Sequence, residues 1–534
     1  MNAPPKAAGL APDVDIVELT IADVQKGFLA GRFTSESLTR LHLERIEAYE
    51  PFYNAFTFMN PNAIAEARAI DERRKAGETL GPLAGVPVVV KEAMDFAGLP
   101  STAGWARLSS RAGGVDLIPE RDAPVVARLR SAGAVILGKT NIPAFSHDGA
   151  RANSSWDGPT FNAVDRAIAP GASSSGTATA VSGSFAVVGL AEETGGSIQN
   201  PASAQSLIGL KPTFALVPNS GVAPLAGSTR DVVGPHARTV IDAALLLDVL
   251  AGYSPEDPKT VAAIDKIPEG GYSSKLSKDA LKGARLGLYG PGWRNNNPLS
   301  DECGALYARA VDELKSLGAV VVEDPFAGSG FASLANQDVE FDDRGLESIA
   351  YDMELFLRRL GPSAAANSFA AFKALIPEDP FASEDLLGIH LKTMPGLRAS
   401  LENPTVPPDL SDFVRLRLEY LRIFKSVMAQ HRLNALAFPQ MSKQLPGIFE
   451  KATYPATTVS EINIAGLPGV TVPAGRFSGG SPFSLIFVGP MWSEAELLGL
   501  AFAYEQATHH RVVPQLAKTP YEAATPATSL SLKR

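Results

Sequence analysis

Hydrophobic and polar residues alternate along this chain at two spacings. A spacing of three to four residues predicts helices in the amino-terminal part, opened by the N-cap residues Thr20 and Thr34 and by Asn60-Pro61. Asp122 is the expected cap of a fourth helix. The segments predicted as helices are 20–32, 34–49, 60–75 and 122–130. Short apolar, β-branched runs predict buried strands at 86–91 and 134–137.

Strands that alternate with helices predict an α/β fold, with a mixed, mostly parallel central sheet sandwiched by helices. The later segments that fit this pattern are strands at 285–289, 319–322 and 485–488 and helices at 300–317 and 494–506. We predict a single domain over 16–513, flanked by a flexible amino-terminal tail, 1–15, and a carboxy-terminal tail, 514–534. Within the domain, we predict that the region at about 253–430 is a variable insertion that adds to the same sheet.

Two turns rich in glycine and serine, 171–176 and 194–197, interrupt this pattern. Such composition also occurs in flexible linkers, but the segment between the turns is apolar and is therefore expected to be buried. The turns are therefore expected to be fixed to the core. A serine hydroxyl on such a turn is exposed and orientable, and the neighbouring backbone N–H groups can converge on a developing oxyanion.

A serine nucleophile needs a base, and the usual signatures are absent. None of the seven histidines lies in a recognisable catalytic motif, and the chain has no Gly-x-Ser-x-Gly elbow. Lys91 ends a strongly apolar strand. Lys91 is either the first solvated residue after that strand or a buried lysine. If it is buried, desolvation disfavours the ammonium form and would make the lysine a usable base near neutral pH.

The order of these motifs resembles the amidase signature family. The resemblance covers roughly 20–250 and 430–510, and the motifs that carry it are 83–91, 138–141, the two serine turns, 209–213, 228–247 and 463–469. It implies the amidase signature fold and a Ser-cisSer-Lys triad in which Ser197 is the nucleophile, Ser173 the bridging serine beside a cis peptide bond, and Lys91 the neutral base. Ser174 and Ser175 compete for the bridging role, and Ser173 is preferred because it takes the first serine position of the family's turn.

The resemblance also implies an oxyanion hole made by the backbone N–H groups of Thr194, Gly195, Gly196 and Ser197. The implied reaction is hydrolysis of a small aromatic or aliphatic carboxamide through an acyl-enzyme, with no metal and no cofactor. A carbamate or ester hydrolase would use the same triad, and a glutaminase-type transamidation subunit has the same signature. A non-catalytic protein that uses the turns as an anion or peptide nest is the alternative from another class.

Several residues depart from the family's pattern. Lys91 is followed by Glu92 where aspartate is usual, and the first turn has Ala172 and Ser175 in place of glycines. Gln199 stands where arginine usually follows the second turn. At 191–193, before the expected oxyanion hole, this chain has Ala-Glu-Glu where the family has Gly-Thr-Asp. Glu193 is expected to brace the turns as the aspartate does, unless it is only a surface acid. The departures bear on the substrate more than on the mechanism.

Substrate contacts are expected from two regions. The resemblance implies that the segment carrying Phe145, Ser146 and His147 lines the acyl side of the pocket, although His147 also fits a structural role. The region 326–431 contains many aromatic residues, which are more often core than pocket. A variable region beside a fixed catalytic frame is nevertheless where substrate specificity is expected.

Composition excludes several classes of partner. The 534 residues carry a formal net charge of −9, which offers no basic surface for nucleic acid or an anionic membrane. No apolar run reaches the length of a membrane span, and no secretory signal is evident, so a cytoplasmic enzyme is expected. The single cysteine, Cys303, is expected to be buried in a helix. A homodimer is implied only by the resemblance.

Overall fold

A computed structural model of the chain describes residues 14–295, 297–336, 342–394 and 396–522. Residues 1–13 and 523–534 of the predicted tails lie outside this part. The α-helices of the described residues, numbered in chain order, are α1 Ile21–Leu29, α2 Ser35–Tyr53, α3 Ala63–Lys75, α4 Pro124–Ser131, α5 Ser175–Ser182, α6 Gln199–Ala204, α7 Val240–Leu250, α8 Asp301–Ser316, α9 Ile349–Arg359, α10 Phe369–Leu375, α11 His390–Thr393, α12 Leu397–Glu402, α13 Ser411–His431, α14 Ser460–Ala465 and α15 Glu494–Thr508. The strands are β1 Phe56–Met59, β2 Pro87–Lys91, β3 Val135–Thr140, β4 Val188–Glu193, β5 Ile208–Lys211, β6 Val232–Ala237, β7 Arg285–Leu288, β8 Val320–Val322, β9 Ala435–Pro439, β10 Gly469–Arg476 and β11 Pro482–Val488.

All these strands form one mixed sheet, as predicted, in the order β1-β3-β2-β4-β6-β5-β10-β11-β9-β7-β8. The predicted preponderance of parallel pairs is not observed. Within the described residues four strand pairs are parallel and six are antiparallel. Short connections, such as the hairpin between β10 and β11, allow only antiparallel neighbours, because a parallel pair needs a long crossover.

Local capping explains where the amino-terminal helices begin. Thr20 and Thr34 each form the predicted cap, with reciprocal bonds to the third helical residue. Two predicted starts are wrong. The third helix begins at Ala63, after an Asn62 cap position. Asp122 does not cap α4, because its carboxylate accepts a hydrogen bond from the Ala97 amide at 2.8 Å and pairs with a side chain within the helix.

The middle of the chain adds both to the sheet and to a second apolar core. As predicted, this part of the chain adds to the sheet: strands β7 and β8, which α8 connects, lie beyond β9. Cys303 lies buried on α8, which confirms that prediction. Helices α9 to α12 enclose a cluster that packs on Trp105 and Phe145. The aromatic residues Phe356, Phe369 and Phe372 belong to this core, as expected for that region.

The carboxy-terminal segment from 509 to 522 lies against the amino-terminal helices. Arg511 pairs with Glu18 at 2.6 Å, and the Ala517 amide donates to the Tyr53 hydroxyl at 2.9 Å. These contacts join the two ends of the described chain. None of the described helices is both long and apolar enough to cross a membrane.

Candidate active site

Lys91 stands at the carboxyl end of β2, an interior strand between β3 and β4, and its side chain is fully buried. β4 runs parallel to β2, with Val90 opposite Leu190. Parallel strands end at the same edge of a sheet, so Lys91 meets Glu192 near the end of β4, just before the second turn. This register brings together residues that are about a hundred positions apart.

The three serines of the first turn have different partners. Lys91 Nζ donates a hydrogen bond of 2.6 Å to Ser173 Oγ, and the Ala172–Ser173 peptide bond is cis. Ser174 Oγ instead donates to the Glu192 carbonyl at 3.1 Å, and Ser175 Oγ donates to the Gly171 carbonyl at 2.5 Å. Of these hydroxyls, that of Ser173 is the one that contacts the lysine.

Ser197 lies at the end of the second turn, just before α6, and lines a large cavity. The turn depends on Gly196, whose φ is +96° and whose added Cβ would lie 2.6 Å from Asn200 Nδ2. A larger residue there would collide with Asn200 as well as strain the backbone. Thr194 and Gly195 line the same cavity. The backbone thus presents this stretch to whatever occupies the cavity.

Glu193 is buried and braces the second turn. Its carboxylate accepts hydrogen bonds from the backbone N–H groups of Ile198 and Gln199 at 2.8 and 3.1 Å. The Gln199 side chain donates to the same carboxylate at 2.5 Å, and so does Asn463 at 2.8 Å. These contacts agree with the bracing role expected for Glu193 and rule out a surface acid, since its exposure is 0%.

Glu192 is a partner of Lys91 that sequence reasoning missed. Its Oε2 lies 2.6 Å from Lys91 Nζ, and its carbonyl accepts a third hydrogen bond from the same nitrogen at 3.1 Å. Both side chains are buried, at 0% and 2% exposure. The signal was present in the sequence, since Glu192 is an acid in an apolar strand where the family has threonine.

A second carboxylate lies beyond Glu192. Thr194 Oγ1 donates to Asp231 Oδ1 at 2.6 Å and lies 3.4 Å from Glu192 Oε1. Burial, and after it the charge of Glu192, raise the pKa of Asp231 to about 7. The buried charges behind the two turns therefore form a connected group.

The cavity in front of Ser197 has a volume of about 630 Å³. Two of the three residues predicted to contact substrate, Ser146 and His147, line it. Phe145 does not, because its ring packs on Trp105 with the centroids 5.1 Å apart, in the core beside the cavity. Burial, and then the charge of His390, lower the pKa of His147 to about 4.

The middle region supplies one wall of this cavity. Its segment 343–393 contributes Asp343, Leu346, Ile389, His390 and Thr393. His390 Nδ1 lies 3.3 Å from Asp343 Oδ2, and the His390 ring meets that of His147 edge-on with centroids 4.9 Å apart. Within the described part of the chain, His390 Nε2 has no hydrogen-bond partner although it is buried. Other atoms of the His390 side chain line the cavity, beside His147.

Charged groups on the remaining wall are largely paired. Arg294 forms two bonds of 2.6 and 2.7 Å with Glu461. Arg151 donates to the Ala452 carbonyl at 2.7 Å and lies 3.9 Å from Asp148. Across the described segments, no group of three or more metal-ligating side chains comes together. The site is thus a cavity of mixed apolar and polar lining that contains Ser197, with a buried lysine linked to its wall through Glu192 and Thr194.

This chain belongs to the amidase family, whose model matches residues 37–498. It is 31% identical over 518 residues to a probable amidase of Arabidopsis thaliana, covering 95% of this chain and 93% of that one. It is also 31% identical to one subunit of the glutamyl-tRNA(Gln) amidotransferase of Carboxydothermus hydrogenoformans, covering 94% and 100%. The crystal structure of the native peptide amidase from Stenotrophomonas maltophilia is similar, with a TM-score of 0.74, 32% identity and coverage of 93% and 99%. The predicted family and fold class are confirmed, and the protein is an enzyme of carbon–nitrogen bond hydrolysis or amide-nitrogen transfer.

Proposed function

We propose that this protein hydrolyses the C–N bond of a small carboxamide, with Ser197 as nucleophile and Ser173 and Lys91 as the proton relay. The observation that carries the proposal is the 2.6 Å hydrogen bond between Lys91 and Ser173, made by a lysine that also bonds Glu192, two residues before the turn that presents Ser197 to the cavity. A lysine buried at 0% exposure in contact with one serine of a Gly/Ser turn has an arrangement suited to proton transfer.

In the proposed reaction Ser197 Oγ attacks the amide carbonyl and its proton passes to Ser173, which gives its own proton to Lys91. The tetrahedral oxyanion is stabilised by the backbone N–H groups of the second turn, 194–197. Lys91 returns the proton through Ser173 to the leaving nitrogen, and an amine departs. Water then attacks the acyl-enzyme by the same relay, which releases the acid and restores Ser197.

The cavity supports a substrate of moderate size. A volume of about 630 Å³ lies within the usual range for small-molecule sites, roughly 300–1,000 Å³. Its wall mixes apolar residues such as Leu225 and Ile389 with polar ones. The proposed substrate is therefore an amide with both an apolar part and hydrogen-bonding groups. Carbamates and esters fit the same chemistry and belong in the same assay.

The amidotransferase relatives support a second candidate function, release of ammonia from glutamine for a partner chain. The two candidates differ in what the isolated chain can do. A stand-alone amidase turns over several amides without a partner, whereas the second candidate predicts glutamine as the preferred substrate and activation by a partner.

The test is hydrolysis of a panel of amides, anilides, carbamates, esters and glutamine by the purified chain. Ser197→Ala, Ser173→Ala and Lys91→Ala are expected to remove turnover while the circular dichroism stays native. Ser175→Ala is the matched control, because the Ser175 hydroxyl bonds the Gly171 carbonyl and contacts neither Lys91 nor Glu192, and it should keep most of the activity. Trapping with hydroxylamine should yield a hydroxamate. Full activity of Ser197→Ala would refute the proposal.

A further inference from the structure

Lys91 Nζ makes three hydrogen bonds, to Ser173 Oγ, Glu192 O and Glu192 Oε2. A lysine ammonium has three N–H donors and no lone pair, whereas the neutral amine has two donors and one lone pair. Three acceptors around one nitrogen therefore match the ammonium. In this arrangement Lys91 donates to Ser173 and has no lone pair with which to take its proton.

The carboxylate favours this charged form. At 2.6 Å and with both side chains buried, Glu192 stabilises the ammonium, since nearby opposite charges favour ionisation. The proposed mechanism requires the neutral amine. The resting arrangement thus differs from the catalytic one by a single proton on Lys91.

We propose that Glu192 is a positioning residue that holds Lys91 against Ser173 and keeps it protonated in the resting enzyme. This inference rests on the proposed function. Catalysis then begins only after an N–H bond of Lys91 breaks and the proton passes to solvent, which takes the net charge of the pair from zero to −1. When Ser197 attacks, Lys91 regains a proton through Ser173, and Glu192 again stabilises the ammonium. Glu192 therefore favours the charged lysine both at rest and in the chemical step.

Other titratable groups face this pair. Asp231 reaches it through Thr194, from the segment just before β6. His236, on β6 beside β4, is buried and bonds the Ile198 carbonyl at 2.8 Å. Burial lowers the pKa of His236 to about 4, and the charge of Lys91 acts in the same direction. Asp231 is thus the group whose titration has to be separated from that of Lys91.

The kinetic test compares Glu192→Gln with the parent enzyme across pH. Loss of the carboxylate leaves a buried lysine without its counter-charge, so the acidic limb of the kcat profile should move to lower pH by about 1–3 units. The limiting kcat at high pH should fall about 10-fold or more, because the lysine becomes a weaker base. A merely structural role would lower kcat and leave the limb in place.

Two variants act as controls. Glu193→Gln removes the adjacent buried carboxylate, which bonds the turn and not the lysine, so kcat should fall without movement of the limb. Asp231→Asn tests whether the limb belongs to Asp231. Movement of the limb in Asp231→Asn but not in Glu192→Gln would overturn the inference, as would an unmoved limb in both. Glu192→Asp, which keeps a carboxylate, should restore the limb toward its original pH.

A second measurement does not depend on turnover. In Ser197→Ala enzyme labelled with [ε-¹³C]lysine, the Lys91 signal, assigned through Lys91→Arg, should report an ammonium near neutral pH. Adding Glu192→Gln should shift its titration to lower pH. A neutral Lys91 near neutral pH in the Ser197→Ala enzyme would overturn the inference even if no Glu192 variant folds. Turnover by Ser197→Ala would instead refute the proposed function, so the two failures are distinguishable.

Discussion

Asn463 Nδ2 donates a hydrogen bond of 2.8 Å to Glu193 Oε1, although the two residues are 270 positions apart. Glu193 holds the turn of Ser197 through the amides of Ile198 and Gln199. Asn463 lies on α14, in a motif near the end of the chain. The last part of the sequence therefore helps to fix the backbone beside the proposed nucleophile.

Glu193→Gln should lower kcat by about 10²–10³, the usual cost of misplacing an oxyanion-hole donor. The glutamine side chain has a single carbonyl oxygen, so it cannot accept hydrogen bonds from all the groups that donate to the Glu193 carboxylate. Asn463→Ala removes one donor and should cost about 10-fold, in line with a single hydrogen bond to a charged group. Steady-state kinetics with a check of thermal unfolding measures both. Unchanged kcat in a folded Glu193→Gln enzyme would contradict the bracing role.

His390→Ala should raise KM by about 3- to 10-fold and change kcat less, because a side chain that lines the cavity is removed. The basis is the place of the His390 ring in the cavity wall, edge-on to the ring of His147. Lys392→Ala, on the same short helix but 61% exposed in its side chain, is the control and should leave KM unchanged. Equal KM values for all three enzymes would remove His390 from the binding site.

Arg359→Ala should lower the free energy of unfolding by about 3–5 kcal/mol. Arg359 Nη1 lies 3.0 Å from Asp95 Oδ2, and both side chains are buried, so the substitution leaves a carboxylate without its counter-charge. The pair ties α9 of the middle region to the catalytic part of the chain. Arg415→Ala, which breaks an ion pair with Asp412 that is exposed on both sides (80% and 92%), should cost less than about 1 kcal/mol. Urea denaturation compares them, and similar losses would exclude the ion pair as the cause.

His236→Gln should make stability less sensitive to acid. Burial lowers the pKa of His236 from its ordinary 6.5 to about 4 in the folded protein. The contribution of neutral His236 to the free energy of unfolding is therefore complete above pH 6.5 and is lost as the pH falls toward 4. The reason is that His236 binds a proton in the unfolded chain in this range and does not bind one in the folded chain. The slope of unfolding free energy against pH in this window should fall by up to about 1.4 kcal/mol per unit. Denaturation curves across the window that stay parallel would contradict this.

Cys303 should be inert to a thiol reagent in the native protein and react once after denaturation. Its Sγ donates to the Met441 carbonyl at 3.1 Å, and burial raises the pKa of the thiol to about 12. Because it is the single cysteine of the chain, the reaction also reports unfolding. Labelling at equal rates with and without denaturant would show that α8 is open in solution.

The parts of the site that the sequence could predict are those fixed by local pattern. Lys91 ends an apolar strand, and the serines lie in glycine-rich turns whose order along the chain is distinctive. The helix caps at Thr20 and Thr34 are equally local. Asp122 fails as a cap because its carboxylate has a competing partner on another segment, Ala97, which no local pattern reveals.

The rest depends on contacts between distant segments. Glu192 faces Lys91 only because β4 pairs in parallel with β2 at one particular register. His390 reaches the cavity because helices far along the chain fold back over it. Phe145 points into the core and not the cavity, and its φ of +52° is a backbone conformation that a sequence pattern does not disclose.

Strand β10 lies in the interior of the sheet, between β5 and β11. On the ribosome, β1 to β6 and both serine turns emerge long before β10, so β5 has an unpaired edge while much of the chain is still being made. Asn463, which bonds Glu193, also emerges late. A nascent chain therefore carries the serines and the lysine without the support that fixes them. The contacts that support the serines and the lysine are complete only after β10 and α14 have been made.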